Sequence, residues 1–410
     1  MGGGILVLSA VTLLAVLGIV VVFVVLPVVV KARCISTAKE RGITLTLDHV
    51  AIGLGEVRLV KIAFALDGVP QLTARADDAQ VTLSGLTPAD ATVHGLSLTL
   101  DGAAEAVQKS LDAWRETQAR ATSAVDAAAQ RKITVSHAHL TWLHAFGQTA
   151  VLESTEADGE ADAGEGSLHL VADHTTLTAG HATFGPWRTT LERSVQGTRT
   201  DVELDPVVPG GPSVVYVRTP AGAVSIRANV AKSPLSRIGI PAKSVGLATD
   251  ADVEAQIALD EALNGTATMT AGVDLTRAVF SSVPVDLQLR LNAAGDVTKG
   301  MNVTQSALRA GPITASVTGT VQLFDDGARL ALAWSTRPVP CTEVGKQLAT
   351  QALGALGAQL GQLAVNAGGL AGLRVTGNAL ASGLITLDSR DVSAASFTMT
   401  GNETCGLALF

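Results

Sequence analysis

The chain has 410 residues, room for one elongated domain or two to three compact ones, and a formal net charge of −8. That charge opposes binding to a phosphate backbone. With aromatics at 3% and Tyr216 the only tyrosine, single-stranded nucleic acid would find no stacking platform. Charged residues make up 16% and apolar ones 47%, a composition that folds instead of staying disordered.

An uncharged apolar run extends from Ile5 to Val30. As a helix it would rise about 39 Å, enough to cross a ~30 Å hydrocarbon core with some tilt. A secretory h-region is shorter, about 7–15 residues, and ends in a small-x-small cleavage site. This run leads into Lys31-Ala32-Arg33-Cys34, with neither that site nor a lipobox. The pattern predicts a transmembrane signal anchor over residues 1–34. Its flanks conflict with export: Met1–Gly4 carry no basic side chain, while Lys31, Arg33, Lys39 and Arg41 follow the span. The positive-inside rule alone would leave the C-terminal body in the cytoplasm.

A β-rich region over 35–205 follows. Ile43, Leu45 and Leu47 alternate with Thr44, Thr46 and Asp48, and then Val50, Ile52 and Leu54 continue with the phase shifted. Val81 and Leu83, then Leu96, Leu98 and Leu100, repeat the alternation. Period two puts these side chains on one face of a pleated sheet. Asp67-Gly68, Ser84-Gly85, His94-Gly95 and Asp101-Gly102 read as turns of a meander. Residues 103–130, free of Gly and Pro, read as a surface helix with a narrow stripe of Val107, Leu111, Trp114 and Val125. Strands resume at Ile133, and the acidic Glu153–Glu165 segment reads as a loop. Further strand-like runs include Leu168–Leu170 and Val202–Leu204, and Pro206–Pro212 reads as a break.

The second β-rich region spans 213–410. Its clearest strands are Val285–Leu291, Ile313–Val317, Thr320–Leu323 and Leu330–Trp334, with Asp326-Gly327 as a hairpin turn. Residues 342–369 read as a second helix, with Leu348, Leu353, Leu356, Leu360 and Leu363 spaced for one face but weakened by glycines. Strands at Leu373–Val375, Leu384–Leu387 and Phe397–Met399 close the chain. Cys341 and Cys405 both lie near its end, either as a disulfide, which suits an oxidising compartment, or as two buried thiols.

No Gly-x-Ser-x-Gly elbow, P-loop or His-Glu-x-x-His motif is present. His137 and His139 are two apart on a strand with His144 near, but a third or fourth ligand is not evident, so they read as surface histidines. Asp158, Glu160, Asp162 and Glu165 alternate like a calcium loop yet lack its Gly and Glu spacing. The chain is therefore expected to be no enzyme and to need no cofactor or metal.

The layout resembles the AsmA-like family, which includes TamB-type translocation and assembly proteins. The anchor Ile5–Val30, the Ile43–Val50 strand, Val57–Leu66, Leu83–Leu86 and Val93–Gly102 carry the likeness, and Gly311–Val321 has a similar cadence. The resemblance implies a β-groove in the bacterial envelope implicated in phospholipid movement between membranes, with the body in the periplasm. It implies no catalytic residues.

The expected fold is mainly β: a transmembrane helix, then an elongated antiparallel β-groove or sandwich with one or two accessory helices. Alternation alone fits an open apolar trough and a filled sandwich equally. A trough would take phospholipid acyl chains, with Leu45, Leu47, Val81, Leu83, Leu98, Leu100, Leu287 and Leu289 as groove candidates. A filled core would suit a membrane-tethered scaffold with other envelope proteins as partners.

Overall fold

The computed structural model describes residues 27–40, 42–53, 55–84, 87–121, 132–145, 150–162, 167–179, 182–194, 199–245, 247–262, 265–280, 283–297, 299–310, 313–324, 327–343, 373–388 and 396–409. The apolar run expected to be an anchor lies outside these residues except for Pro27–Val30. Those four open helix α1 (Pro27–Glu40), and among the described residues no helix is long and apolar enough to cross a membrane. The protein is mainly β, and it divides into two compact units between Ile226 and Arg227, with Gly210–Pro212 joining the second.

In the first unit α1 leads through Gly42 into β1 (Ile43–Ile52), β2 (Glu56–Leu66) and β3 (Val69–Ser84), which pair antiparallel in sequence. Next come β4 (Thr87–His94) and β5 (Ser97–Asp101). His94-Gly95 does not reverse the chain as expected. β4 and β5 lie end to end, both antiparallel to β3, so Gly95 with φ 61° is a kink within one long strand. Helix α2 (Ala104–Ala121) then carries the chain over to β6 (Lys132–Leu143), which runs parallel to β4 and β5. This crossover replaces the expected meander, because a parallel neighbour cannot be reached by a tight turn. The expected helix residues beyond 121, including Val125, fall outside the described residues.

Antiparallel pairing then continues through β7 (Ala150–Asp162), β8 (Ser167–Ala179), β9 (Ala182–Arg193), β10 (Thr200–Pro206) and β11 (Pro212–Arg218). Two expectations are corrected here. The Glu153–Glu165 segment is not a loop, since through Asp162 it is the body of β7. Its alternation pairs outward acids, Asp158 and Glu160, with the buried Ala157, Gly159 and Ala161. Cβ-sized groups fill the interior there, so the periodicity has no large apolar residue to announce it. The Pro206–Pro212 break is only the connection between β10 and its antiparallel neighbour β11.

A second feature crosses this sheet. At one level, neighbouring strands each turn two consecutive residues outward: 48–49, 60–61, 77–78, 136–137, 155–156 and 173–174. Lys61, His137 and Glu156 adopt positive φ there (52°, 54° and 55°). Beyond the step the apolar residues resume on the inner face, as Ile62, Phe64 and Leu66 do after Val57 and Leu59. This is the physical origin of the phase shift in β1.

After β12 (Val224–Pro234), the second unit runs through two short 3₁₀ turns into β13 (Asp252–Glu261), β14 (Thr266–Phe280), β15 (Val283–Asp296), β16 (Gly300–Ala310), β17 (Ile313–Phe324) and β18 (Gly327–Thr336). These form an antiparallel ladder in sequence order. The two strands expected within 313–323 are one strand, continuous through Gly319. There a Cβ would lie 2.0 Å from the Ala331 carbonyl oxygen. β19 (Val339–Pro340) is short, and residues 344–369 of the expected second helix are outside the described residues. The chain then forms β20 (Leu373–Thr376), β21 (Asn378–Asp388), β22 (Ser396–Glu403) and β23 (Gly406–Leu409). β21 joins the ladder between β18 and β22, while β20 and β23 make a separate two-stranded sheet.

Candidate functional site

Both units present one apolar sheet face, and the two faces end differently. In the first unit Leu45, Leu47, Val81, Leu98 and Leu100 are all buried, with Leu83 half-buried against them. They share one cluster with Leu59, Phe64, Leu72 and Ile133, and with Val107, Leu111 and Trp114 of α2. The Val-Leu-Trp stripe of that helix thus supplies the second layer, and burying it satisfies both faces at once. Trp114 Nε1–H also donates to the Gly42 carbonyl at 3.2 Å, and Trp142 Nε1–H to that of Gly102 at 3.0 Å. These two bonds tie both indoles to chain ends of the sheet. Six of the eight groove candidates therefore line a filled core, not a trough.

The second unit keeps its face more open. Cross-strand neighbours form rows on one side, such as Ala255–Val273–Leu289–Leu308 and Val253–Leu275–Leu287–Ala310. Leu287 and Leu289 are only half-buried, as are Leu259, Met269 and Leu308. Ile257 and Leu387 remain 40% exposed. Towards β16–β18 the face tightens around Met301, Leu332 and Trp334. At the other side a separate cluster forms where Leu235, Ile238 and Leu247 pack on Val253 and Ala278. Strands β13 to β18 with β21 span six intervals of ~4.8 Å, an apolar face about 29 Å wide.

The opposite face of this unit is cross-linked by ion pairs. Arg290 grips Asp274 through both terminal nitrogens at 2.6 and 2.8 Å. Arg227 meets Asp260 at 2.8 Å, Arg277 pairs with Asp252, and Arg329 lies 3.1 Å from Asp388. Each pair links neighbouring strands, and a planar guanidinium suits a carboxylate bidentately. The hydrogen bonds from Arg290, and secondarily its charge, hold the Asp274 carboxyl below the usual aspartate range against partial burial. A polar hollow of about 440 Å³ lies beside this pair, lined by Glu254, Gln256, Thr270 and Asn292 among others. These four side chains come from three adjacent strands and offer hydrogen bonds but no nucleophile–base pair.

Cys341 and Cys405 are bonded, with Cα atoms 5.7 Å apart. The histidines are dispersed. His137 occupies a positive-φ position with its backbone N–H donating to Asp158 Oδ1 at 3.0 Å, while His139 Nε2 lies 3.2 Å from Glu153 and His144 Nδ1 2.6 Å from Asp101. Among the described residues no group of three or more His, Cys, Asp or Glu is arranged to hold a metal ion. The Asp–Arg ladder escaped sequence reading, because its partners lie 16 to 59 residues apart and only the strand register brings them together. Compared with known proteins, the chain matches no protein-family model and none of the curated proteins.

Proposed function

We propose that this chain is a membrane-anchored envelope protein of AsmA-like character. In this reading the apolar face of its second unit binds phospholipid acyl chains and carries them between membranes. The observation that supports this most is the band of partly exposed aliphatic side chains around Leu287, Leu289 and Ile257. An acyl chain laid on such a face trades water for hydrocarbon at ~0.8 kcal/mol per CH₂, so transfer needs no covalent chemistry. The apolar run Ile5–Val30 would anchor it as a single span in a bacterial inner membrane. The Cys341–Cys405 bond favours a body in the oxidising periplasm over the cytoplasmic placement that the flanking charges suggest. The first unit, with its filled core, carries no lipid in this reading.

The filled core also favours a second reading, a tethered scaffold for other envelope proteins with no lipid cargo. The two separate in one experiment. The full chain is purified in mild detergent and its bound lipid is measured by mass spectrometry, alongside Leu289→Glu and Ile257→Glu variants. Phospholipid near one per chain, reduced at least fivefold in both variants without loss of folding, supports the lipid reading. Lipid absent from the wild type, or unchanged in the variants, refutes it.

A further inference from the structure

β20 and β23 do not begin a new pairing. Ala379 faces Glu403 in the β21–β22 ladder, and three residues further along Thr376 faces Gly406 in the β20–β23 ladder. The same offset runs through both, so one long hairpin has been folded over at a corner formed by Gly377 and Thr404–Cys405. Gly377 has φ 94°, and a Cβ there would lie 2.1 Å from the Thr404 carbonyl oxygen, so the two chains touch backbone to backbone. Among the described residues β19 and Cys341 hold the corner from outside. β19 pairs with β21 at Val339–Ala379 and Pro340–Asn378, and the Cys341 N–H donates to Gly377 O at 3.1 Å. The disulfide from Cys341 reaches the corner itself. Beyond it, β20 and β23 pair only with each other among the described residues, and a lone two-stranded ladder is marginally stable in water.

We infer that the Cys341–Cys405 bond is a redox-sensitive pin on this corner: a dithiol that reduces it releases β20 and β23 while the β13–β18 ladder stays folded. Cys405 is exposed and Cys341 buried. A thiolate of the dithiol attacks the Cys405 sulfur, and Cys341 leaves as a thiolate that takes up a proton. The second thiol of the reagent then displaces Cys405, so the reagent becomes a disulfide and the protein gains two thiols.

The test uses the full chain in lipid nanodiscs in a Cys34→Ala background, which removes the third cysteine as an exchange partner. Amide hydrogen exchange is followed by mass spectrometry before and after dithiothreitol, and again after reoxidation. Exchange at 373–376 and 406–409 should rise at least tenfold on reduction, return on reoxidation, and change less than twofold across 313–336. A Cys341→Ser/Cys405→Ser variant should match the reduced protein. No change at 373–376 and 406–409 overturns the inference, because the corner then holds without the bond. Equal acceleration across 313–336 also overturns it, because the bond then staples the whole unit.

Discussion

The contrast between a closed and an open apolar face can be tested with two substitutions of one kind. Leu98 is 5% exposed in the first unit's core, and Leu289 is half-buried on the second unit's face. Replacing Leu98 by Ala removes three carbons at ~0.8 kcal/mol each and leaves a sealed cavity, for a total of about 3–5 kcal/mol. At Leu289 the side chain is already partly exposed and no sealed void forms, so the loss is about 1 kcal/mol. With a urea slope of about 2–3 kcal/mol/M, the midpoint of the affected unit should fall by more than 1 M for Leu98→Ala and by less than about 0.5 M for Leu289→Ala. Unfolding of the full chain in detergent micelles, followed by hydrogen exchange of peptides from each unit, assigns each shift to its unit. Trp334 fluorescence reports on the second unit, and Trp114, Trp142 and Trp187 on the first. Bound phospholipid should fall only in the Leu289 variant. Equal midpoint shifts, or lipid loss in the Leu98 variant, would refute the distinction between the two faces.

Other expected outcomes follow from single contacts. The Arg290 partnership lowers the Asp274 pKa in the folded state, so its contribution is present above the ordinary aspartate value near 4 and disappears as pH falls below it. Asp274→Asn should therefore flatten the acid limb of the second unit's stability against pH, and an unchanged limb would count against the pair. Glu156→Gly relieves a positive φ and should stabilise the first unit by about 0.5–1 kcal/mol in thermal unfolding. Gly319→Ala, by contrast, drives a Cβ into the Ala331 carbonyl and should cost more than about 3 kcal/mol by the same measurement. Trp114→Phe keeps most of the buried area and removes one of two donors to the Gly42 carbonyl, which still accepts from the Asp67 N–H, so a loss of only about 1 kcal/mol is expected.

Much of the strand content was legible because large aliphatics alternate with Thr and Ser, as at Ile43–Leu47 and Leu287–Leu291. The phase shift after Leu47 was legible too, though its cause, a step shared by neighbouring strands, needed the register. β7 was misread because Ala157, Gly159 and Ala161 face inward without hydrophobic bulk. His94-Gly95 was misread because glycine punctuates turns and kinks alike, and only the pairing of both flanks with β3 decides between them. Alternation fixes which face is apolar but not what covers it. The Val107–Leu111–Trp114 stripe was the one sequence signal that the first unit's face would be closed.

The row of outward steps has a consequence for how this sequence can change. Each crossing strand carries two independent frames of inside and outside, and the step residues are the frameshift between them. Substituting Lys61 leaves both frames in place. Deleting it would make Leu59, Ile62, Phe64 and Leu66 one unbroken alternation, but Ile62 would then face Asp77 of β3 instead of Ala76, and every pair beyond the step would slip by one residue although no apolar residue had been touched. In this half of the protein the number of residues in a strand is therefore under tighter constraint than the identity of the residues at the step.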